Sequence, residues 1–232
     1  EEERQIARHL LAGRDVVITA NFDERILQKS YIEGLEEPKQ TVVLGSSRSM
    51  QIGSEIFGPS VFNSSTPGSS LEDFLGLYHI YLREGRRPGR IVLGLDPWLL
   101  NARHGQTRWK SISGDVDGLL RDLPGGRRLG LSAFPLRKYY ELVTPSYFQS
   151  SIQHFLERRR NGGGLRRDFT LAEDGLPDSR VKRSDGGWLY SEKQGQAPVS
   201  EVRALAQEYA DQKPIYSLGE FRALSPELMA QF

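Results

Sequence analysis

Two hydrophobic periods divide this chain. Ile6, Leu10 and Leu11 fall on one side of residues 2–12, with Gly13 as a stop, which predicts a short amphipathic helix. Val16-Val17-Ile18-Thr19 is a strand-like run. Within Asn21–Lys39, the spacing of Ile26, Leu27, Tyr31, Ile32 and Leu35 predicts a helix packed on a sheet edge. Thr41–Leu44 predicts a buried strand, and Ser60–Ser64 a second one running into the loop Ser65-Thr66-Pro67-Gly68-Ser69-Ser70. Leu71, Phe74, Leu75, Tyr78 and Leu82 then recur at helical spacing through Glu84, with Ser70 as N-cap, Glu72 and Asp73 in the first turn and Arg83 near the end. Gly85–Gly89 breaks that helix. Arg90–Gly94 predicts a third strand, apolar through its middle as buried parallel strands are. Strand, helix and strand at this spacing form a βαβ pattern, whose crossover is right-handed almost without exception.

The text then changes character. Asn101–Gly130 is polar and glycine-rich and predicts an insertion. Tyr139–Arg160 predicts a helix carrying Tyr147, Phe148, Ile152, Phe155 and Leu156, ended by Asn161-Gly-Gly-Gly164. Residues 165–197 are charged, with Trp188-Leu-Tyr190 as an apolar island that predicts a hairpin covering the sheet. Val199, Val202, Leu205, Ala206 and Tyr209 predict another amphipathic helix, and Ser225-Pro226-Glu227 starts a last one. An α/β domain would add a strand after it, so the expectation is a chain truncated at its C-terminus. The domain expectation is one unit over 1–232, with a core at 40–100, an insertion at about 101–138 and a peripheral segment at about 161–197.

Composition narrows the function classes. The 232 residues hold 31 Lys+Arg against 30 Asp+Glu, a net charge of +1 that gives no support for nucleic-acid binding. With no cysteine, disulfides, thiol catalysis and thiolate metal sites are excluded. No apolar run approaches the ~20 residues of a membrane span. The chain begins at Glu1 rather than Met, and the expectation is that an N-terminal segment has been removed, with a signal or membrane anchor as one candidate for it.

Candidate chemistry sits in Gly45-Ser46-Ser47-Arg48. A strand ending in a small-residue turn is where α/β folds place reactive groups, at the carboxyl edge of the sheet. If a helix begins there, its N–H groups favour a developing anion, which makes a serine a candidate nucleophile. The alternative is a plain helix cap. The turns after the other two strands, Asn63–Gly68 and Gly94-Leu95-Asp96-Pro97, open on the same edge of a parallel sheet.

That layout resembles the SGNH (GDSL-type) hydrolase superfamily, in which a Gly-Asp-Ser turn carries the nucleophile. There a Gly after strand two and an Asn in a Gly-x-Asn turn after strand three complete the oxyanion hole. The Gly-Ser-Ser variant looks like the membrane-tethered, extracytoplasmic branch that handles acyl groups on cell-surface polymers. Asn21-Phe-Asp-Glu-Arg25, Phe62-Asn63 and Pro67-Gly68 add to the likeness, which covers roughly residues 15–100. The resemblance implies a three-layer α/β/α, flavodoxin-like fold with a mostly parallel sheet. It implies Ser47 as nucleophile and Gly45, Gly68 and Asp96 as the oxyanion turns. Arg48 and Asn63 are candidate substrate contacts, with pairing to a surface carboxylate the slightly favoured role for Arg48.

Two positions depart from the family pattern. Asp96 stands where the oxyanion Asn would be, and an ionised carboxylate has no proton to donate. The family's base is a His three residues after an Asp, but Asp185-Gly-Gly-Trp188 has Trp there. His154 and His104 are weak candidates for the base, and His9 and His79 read as packing or surface residues. The leading expectation is an esterase or O-acyltransferase acting on a glycan, without cofactor or metal and outside the cytoplasm. The alternative is an inactive binding or assembly module for envelope polysaccharide. A phosphate binder is a distant third, because no P-loop or Gly-x-Gly-x-x-Gly follows a strand.

Overall fold

The three turns singled out above are carried by a parallel sheet in the computed structural model. The structure describes residues 1–18, 22–101, 105–123, 169–172, 180–190, 198–211 and 223–231. In chain order the elements are α1 (Glu2–Leu11), β1 (Val16–Ile18), α2 (Glu24–Glu33), β2 (Thr41–Leu44), α3 (Ser54–Phe57), β3 (Val61–Asn63), α4 (Leu71–Arg83) and β4 (Arg90–Leu93). A 3-10 turn (Arg108–Ile112), α5 (Ser113–Asp122), β5 (Phe169–Leu171), β6 (Val181–Lys182), β7 (Trp188–Leu189), α6 (Val199–Asp211) and α7 (Pro226–Gln231) follow. The chain is thus mixed α/β.

The parallel sheet has the order β3-β2-β4, with Thr41 paired to Val61 on one side and to Arg90 on the other. Every residue of β2 is buried, as expected for a strand paired on both sides. The third strand departs from its expected burial. β4 is only half covered, with Leu93 42% exposed, whereas β3, the other outer strand of the described three, is buried throughout.

The helices form where capping and periodicity agree. Asp23 caps α2, its carboxylate accepting from the Arg25 and Ile26 amides at 2.9 and 3.4 Å. Ser70 and Asp73 make a reciprocal capping box at the start of α4, satisfying donors that the first turn leaves open. Leu71, Phe74, Leu77, Ile80 and Tyr81 of α4 enter the core with Leu27, Tyr31 and Ile32 of α2. Tyr31 lies flat on Phe62 of β3, with ring centroids 3.5 Å apart.

The segment expected to be an insertion contributes core instead. Trp109, Ile112, Val116, Leu119 and Leu120 are buried, and α5 packs along α4. Glycines and charges between these residues concealed a helical face. The structure also contains a second sheet that the periodicity did not reveal. It is antiparallel, in the order β5-β1-β6-β7, and joins Val16 to both Leu171 and Lys182. The expected hairpin at Trp188 is its β6–β7 end. The last helix, α7, is docked: the Ser225 amide donates to the Leu100 carbonyl at 2.9 Å, and Leu228 packs on the core.

A buried ion pair joins the two main helices. Arg25 Nε and Nη2 donate to the two oxygens of Asp73 at 2.6 and 2.9 Å, and the side chains are 4% and 0% exposed. Breaking such a pair from one side strands a charge in the core and costs about 3–5 kcal/mol. Arg25→Met should lower the unfolding free energy in urea by that amount. Glu55→Gln, which breaks the more exposed pair with Arg183, should cost less than ~1 kcal/mol.

Candidate functional site at the carboxyl ends of the parallel strands

The Gly45 carbonyl ties the first two turns together. It accepts from the Thr66 amide at 2.9 Å and from Ser69 Oγ at 2.7 Å. The third turn joins through the Gly94 amide, which donates to the Leu44 carbonyl at 2.8 Å. Trp98, buried beyond that turn, donates its indole N–H to the Ser69 carbonyl at 3.1 Å. The three turns therefore converge. Their closeness also explains two glycines. A Cβ at Gly45 or at Gly94 would run into the Ser49 hydroxyl, which is packed between the two strand ends.

Within the first turn the two serines differ. Ser46 is fully buried, and its hydroxyl accepts from the Arg48 amide at 3.3 Å. Ser47 is exposed. Arg48 reaches over the third turn, with Nη1 3.3 Å from the Asp96 carboxylate and the guanidinium 4.9 Å above the Trp98 ring. Asp96 thus holds Arg48. Asn63 faces inward: its Nδ2 donates to the Ser49 and Ile52 carbonyls at 2.7 and 2.8 Å, while its Oδ1 accepts from the Ser65 amide at 2.9 Å. With no exposed surface and its amide so engaged, Asn63 is a clamp on the turn after β2 and not a substrate contact. Gly68 is buried in the second turn, its carbonyl held by Gln106 Nε2 at 2.9 Å. The same Gln106 nitrogen is 2.8 Å from Asp73, which carries the buried ion pair to this loop.

The segment Asp185–Trp188 docks from the second sheet on the stretch that follows β2. Trp188 donates its amide to the Met50 carbonyl at 2.7 Å, and Asp185 accepts from the Ser54 amide at 2.8 Å. The Asn63 amide donates to the Asp185 carbonyl at 2.8 Å. Gly186, at φ +80°, lies against the Asn63 backbone where a Cβ would collide with the carbonyl oxygen. Burial pushes the Asp185 carboxyl up. The amides of Ser54 and Gly187, the Ser54 hydroxyl and the Arg183 charge outweigh it, so the group sits below the usual aspartate value.

Between this segment and the first turn lies a cleft of about 360 Å³. Ser47 lines it with Ile18, Phe22, Glu24, Met50, Pro67, Arg180, Trp188 and Tyr190. Glu24 is buried beneath, bound to the fully buried Lys182 at 2.5 Å and to Gln28 Nε2 at 3.0 Å. The Lys182 ammonium is 5.3 Å from the centre of the Trp188 ring. Neither Glu24 nor Lys182 stood out in the sequence. Their separation of 158 positions hides the pair, although Glu24 belongs to the Asn21–Arg25 text that carried part of the resemblance.

His9 packs on Phe169, with ring centroids 5.4 Å apart, and His79 lies 3.7 Å from Asp115. Neither lines the Ser47 cleft. His104 and His154 lie outside the described residues. Among the described residues no group of three or more acidic or histidine side chains is placed to hold a metal ion, and no helix is long and apolar enough to cross a membrane. Compared with protein-family models, curated proteins and solved structures, the chain finds no match.

Gly94→Ala should destabilise the domain by about 1–3 kcal/mol through overpacking against Ser49. Adding Ser49→Ala should recover part of that loss in urea denaturation, because the two sites share the contact. Asp185 supplies a pH signature. A depressed carboxyl stabilises the fold above its ordinary value and loses that contribution as pH falls through the lowered one. The stability advantage of wild type over Asp185→Asn, measured by urea unfolding, should therefore be full at pH 7 and shrink below about pH 4.

Proposed function

We propose that this chain is an SGNH-like domain in which Ser47 attacks ester or acyl groups carried by a cell-surface glycan, as an esterase or O-acyltransferase. The observation that carries the reading is the position of Ser47. It is the exposed hydroxyl of the turn after the central parallel strand, on the wall of a cleft, with the Gly68 loop packed against the same turn. In the proposed reaction, Ser47 Oγ bonds to the acyl carbon as its proton passes to a base. The carbonyl electron pair moves onto oxygen and returns as the bond to the glycan oxygen breaks. Water or an acceptor hydroxyl then takes the acyl group from Ser47. The Ser47 and Gly68 amides are the proposed oxyanion donors, each worth ~10²–10³ in rate. Asp96, engaged by Arg48, has no part in that step. The flavodoxin-like three-layer architecture, an extracytoplasmic location and an anchor N-terminal to this chain belong to the same proposal.

A second reading has its own support. Trp188 occupies the position three residues after Asp185 where the family resemblance calls for the base, and it docks directly on the nucleophile turn. A domain that keeps the fold and binds glycan without turning it over would look like this.

The two readings part under one experiment. A serine-reactive phosphonate should label the wild-type protein, and Ser47→Ala should abolish labelling and reduce ester hydrolysis by at least ~10³-fold. Equal labelling of wild type and variant would sink the catalytic reading. Envelope-glycan binding that persists in Ser47→Ala, with no hydrolysis by wild type, would establish the second.

A further inference from the structure

We infer that Glu24 takes the proton from Ser47 Oγ, with Lys182 beneath it holding the carboxylate in place. This rests on Ser47 being the nucleophile and adds the group that activates it. Three observations carry it. The first is position. Ser47 and Glu24 line the same cleft, and Glu24 is the one carboxylate among the described residues that does so. The second is how that carboxylate is held. Glu24 opens α2 directly after the Asp23 cap, and its side chain is buried. Its Oε1 accepts from Lys182 Nζ at 2.5 Å and from Gln28 Nε2, one turn along the same helix, at 3.0 Å. Its Oε2 accepts no hydrogen bond from a described residue, yet it is not sealed from solvent. One oxygen is anchored and the other is left to the cleft, the division needed in a base oriented by a third group. The third is charge. Lys182 is buried and does not line the cleft, so it acts through Glu24 as a positioning residue. At rest its ammonium is matched by the carboxylate. Once the proton has moved, the ammonium faces a neutral acid and a new anion on the acyl oxygen, an attraction that develops only along the reaction. Glu24 thus fills the role that Trp188, whose indole N–H only donates, leaves open. In the step, the Ser47 O–H bond breaks as Oγ bonds to the acyl carbon, and Glu24 Oε2 gains the proton. The protonated Glu24 gives it to the departing oxygen, and the carboxylate then does the same for the incoming water or hydroxyl.

The test reads the activation of Ser47 directly. A serine-reactive phosphonate labels through the same proton transfer, with Ser47 Oγ bonding to phosphorus as the leaving group departs. The rate of Ser47 labelling should fall at least ~10²-fold in Glu24→Gln. That variant strands the Lys182 ammonium in the core, so Glu24→Ala/Lys182→Met, which removes both charges, is measured beside it. It should lose labelling to the same extent while keeping a cooperative urea transition. Sodium formate, a carboxylate small enough to enter the space left by the side chain, should restore its labelling at least ~10-fold. In Glu24→Ala, where the ammonium can still hold the anion, the same rescue should need at least ~10-fold less formate. Equal formate dependence in the two variants overturns the positioning role of Lys182. Labelling at the wild-type rate in Glu24→Gln and in the double variant overturns Glu24 as the base and leaves the nucleophile standing. A loss that formate does not restore, in a double variant that still unfolds cooperatively, does the same. A wild-type protein in which no label reaches Ser47 overturns the nucleophile and the base together.

Discussion

Arg25 and Asp73 hold the centre of this structure. A fully desolvated guanidinium and carboxylate are tolerable in a core only when their hydrogen-bonding capacity is met, and here it is met by the parts that shape the site. Asp73 also accepts from the Ser70 amide and from Gln106, while Arg25 Nη2 lies 3.3 Å from the Pro67 carbonyl. Removing the pair would therefore loosen two helices and the second turn together. The geometry around Ser47 is inherited from that constraint: the loop braced by Asp73 bonds through Thr66 and Ser69 to the Gly45 carbonyl, one residue before the serines.

The second constraint comes from outside the parallel sheet. The β6–β7 hairpin lies against the stretch that follows β2, where the Asp185 carboxylate anchors the Ser54 amide and the Trp188 amide anchors the Met50 carbonyl. Without this hairpin, Ser47 would sit on an open surface. With it, the serine faces aromatic rings and a cleft. The two sheets thus divide the work: one presents the hydroxyl and the other builds the wall opposite.

The parts legible in the sequence were those set by local rules. Thr41–Leu44 and α4 lie within a residue of where periodicity and capping put them, because a buried strand and a capped amphipathic helix declare themselves over a short window. The antiparallel sheet was hidden because its strands are two or three residues long, too short for alternation to register, and its pairings span most of the chain. Residues 108–123 misled for another reason: Gly114 and Gly118 with Asp115, Asp117 and Asp122 dilute an apolar face that α4 nonetheless covers. At the site, Ser47 and its converging turns were readable from strand-end logic. The inward turn of Asn63, the pairing of Arg48 with Asp96 and the Glu24–Lys182 pair depend on tertiary contacts that no spacing rule encodes.

The distance along the chain between the two walls of the cleft bears on how the protein assembles. The contacts that close it join residues 131 positions apart at Ser54 and Asp185, 158 apart at Glu24 and Lys182 and 169 apart at Asp15 and Ser184. Contacts of such separation form only after a large loop-closure entropy has been overcome, which slows folding relative to a topology of local pairs. The βαβ unit around β2 can gather from near neighbours. The opposite wall cannot, and during synthesis from the N-terminus it emerges more than a hundred residues later. Ser47 is therefore placed early and enclosed late.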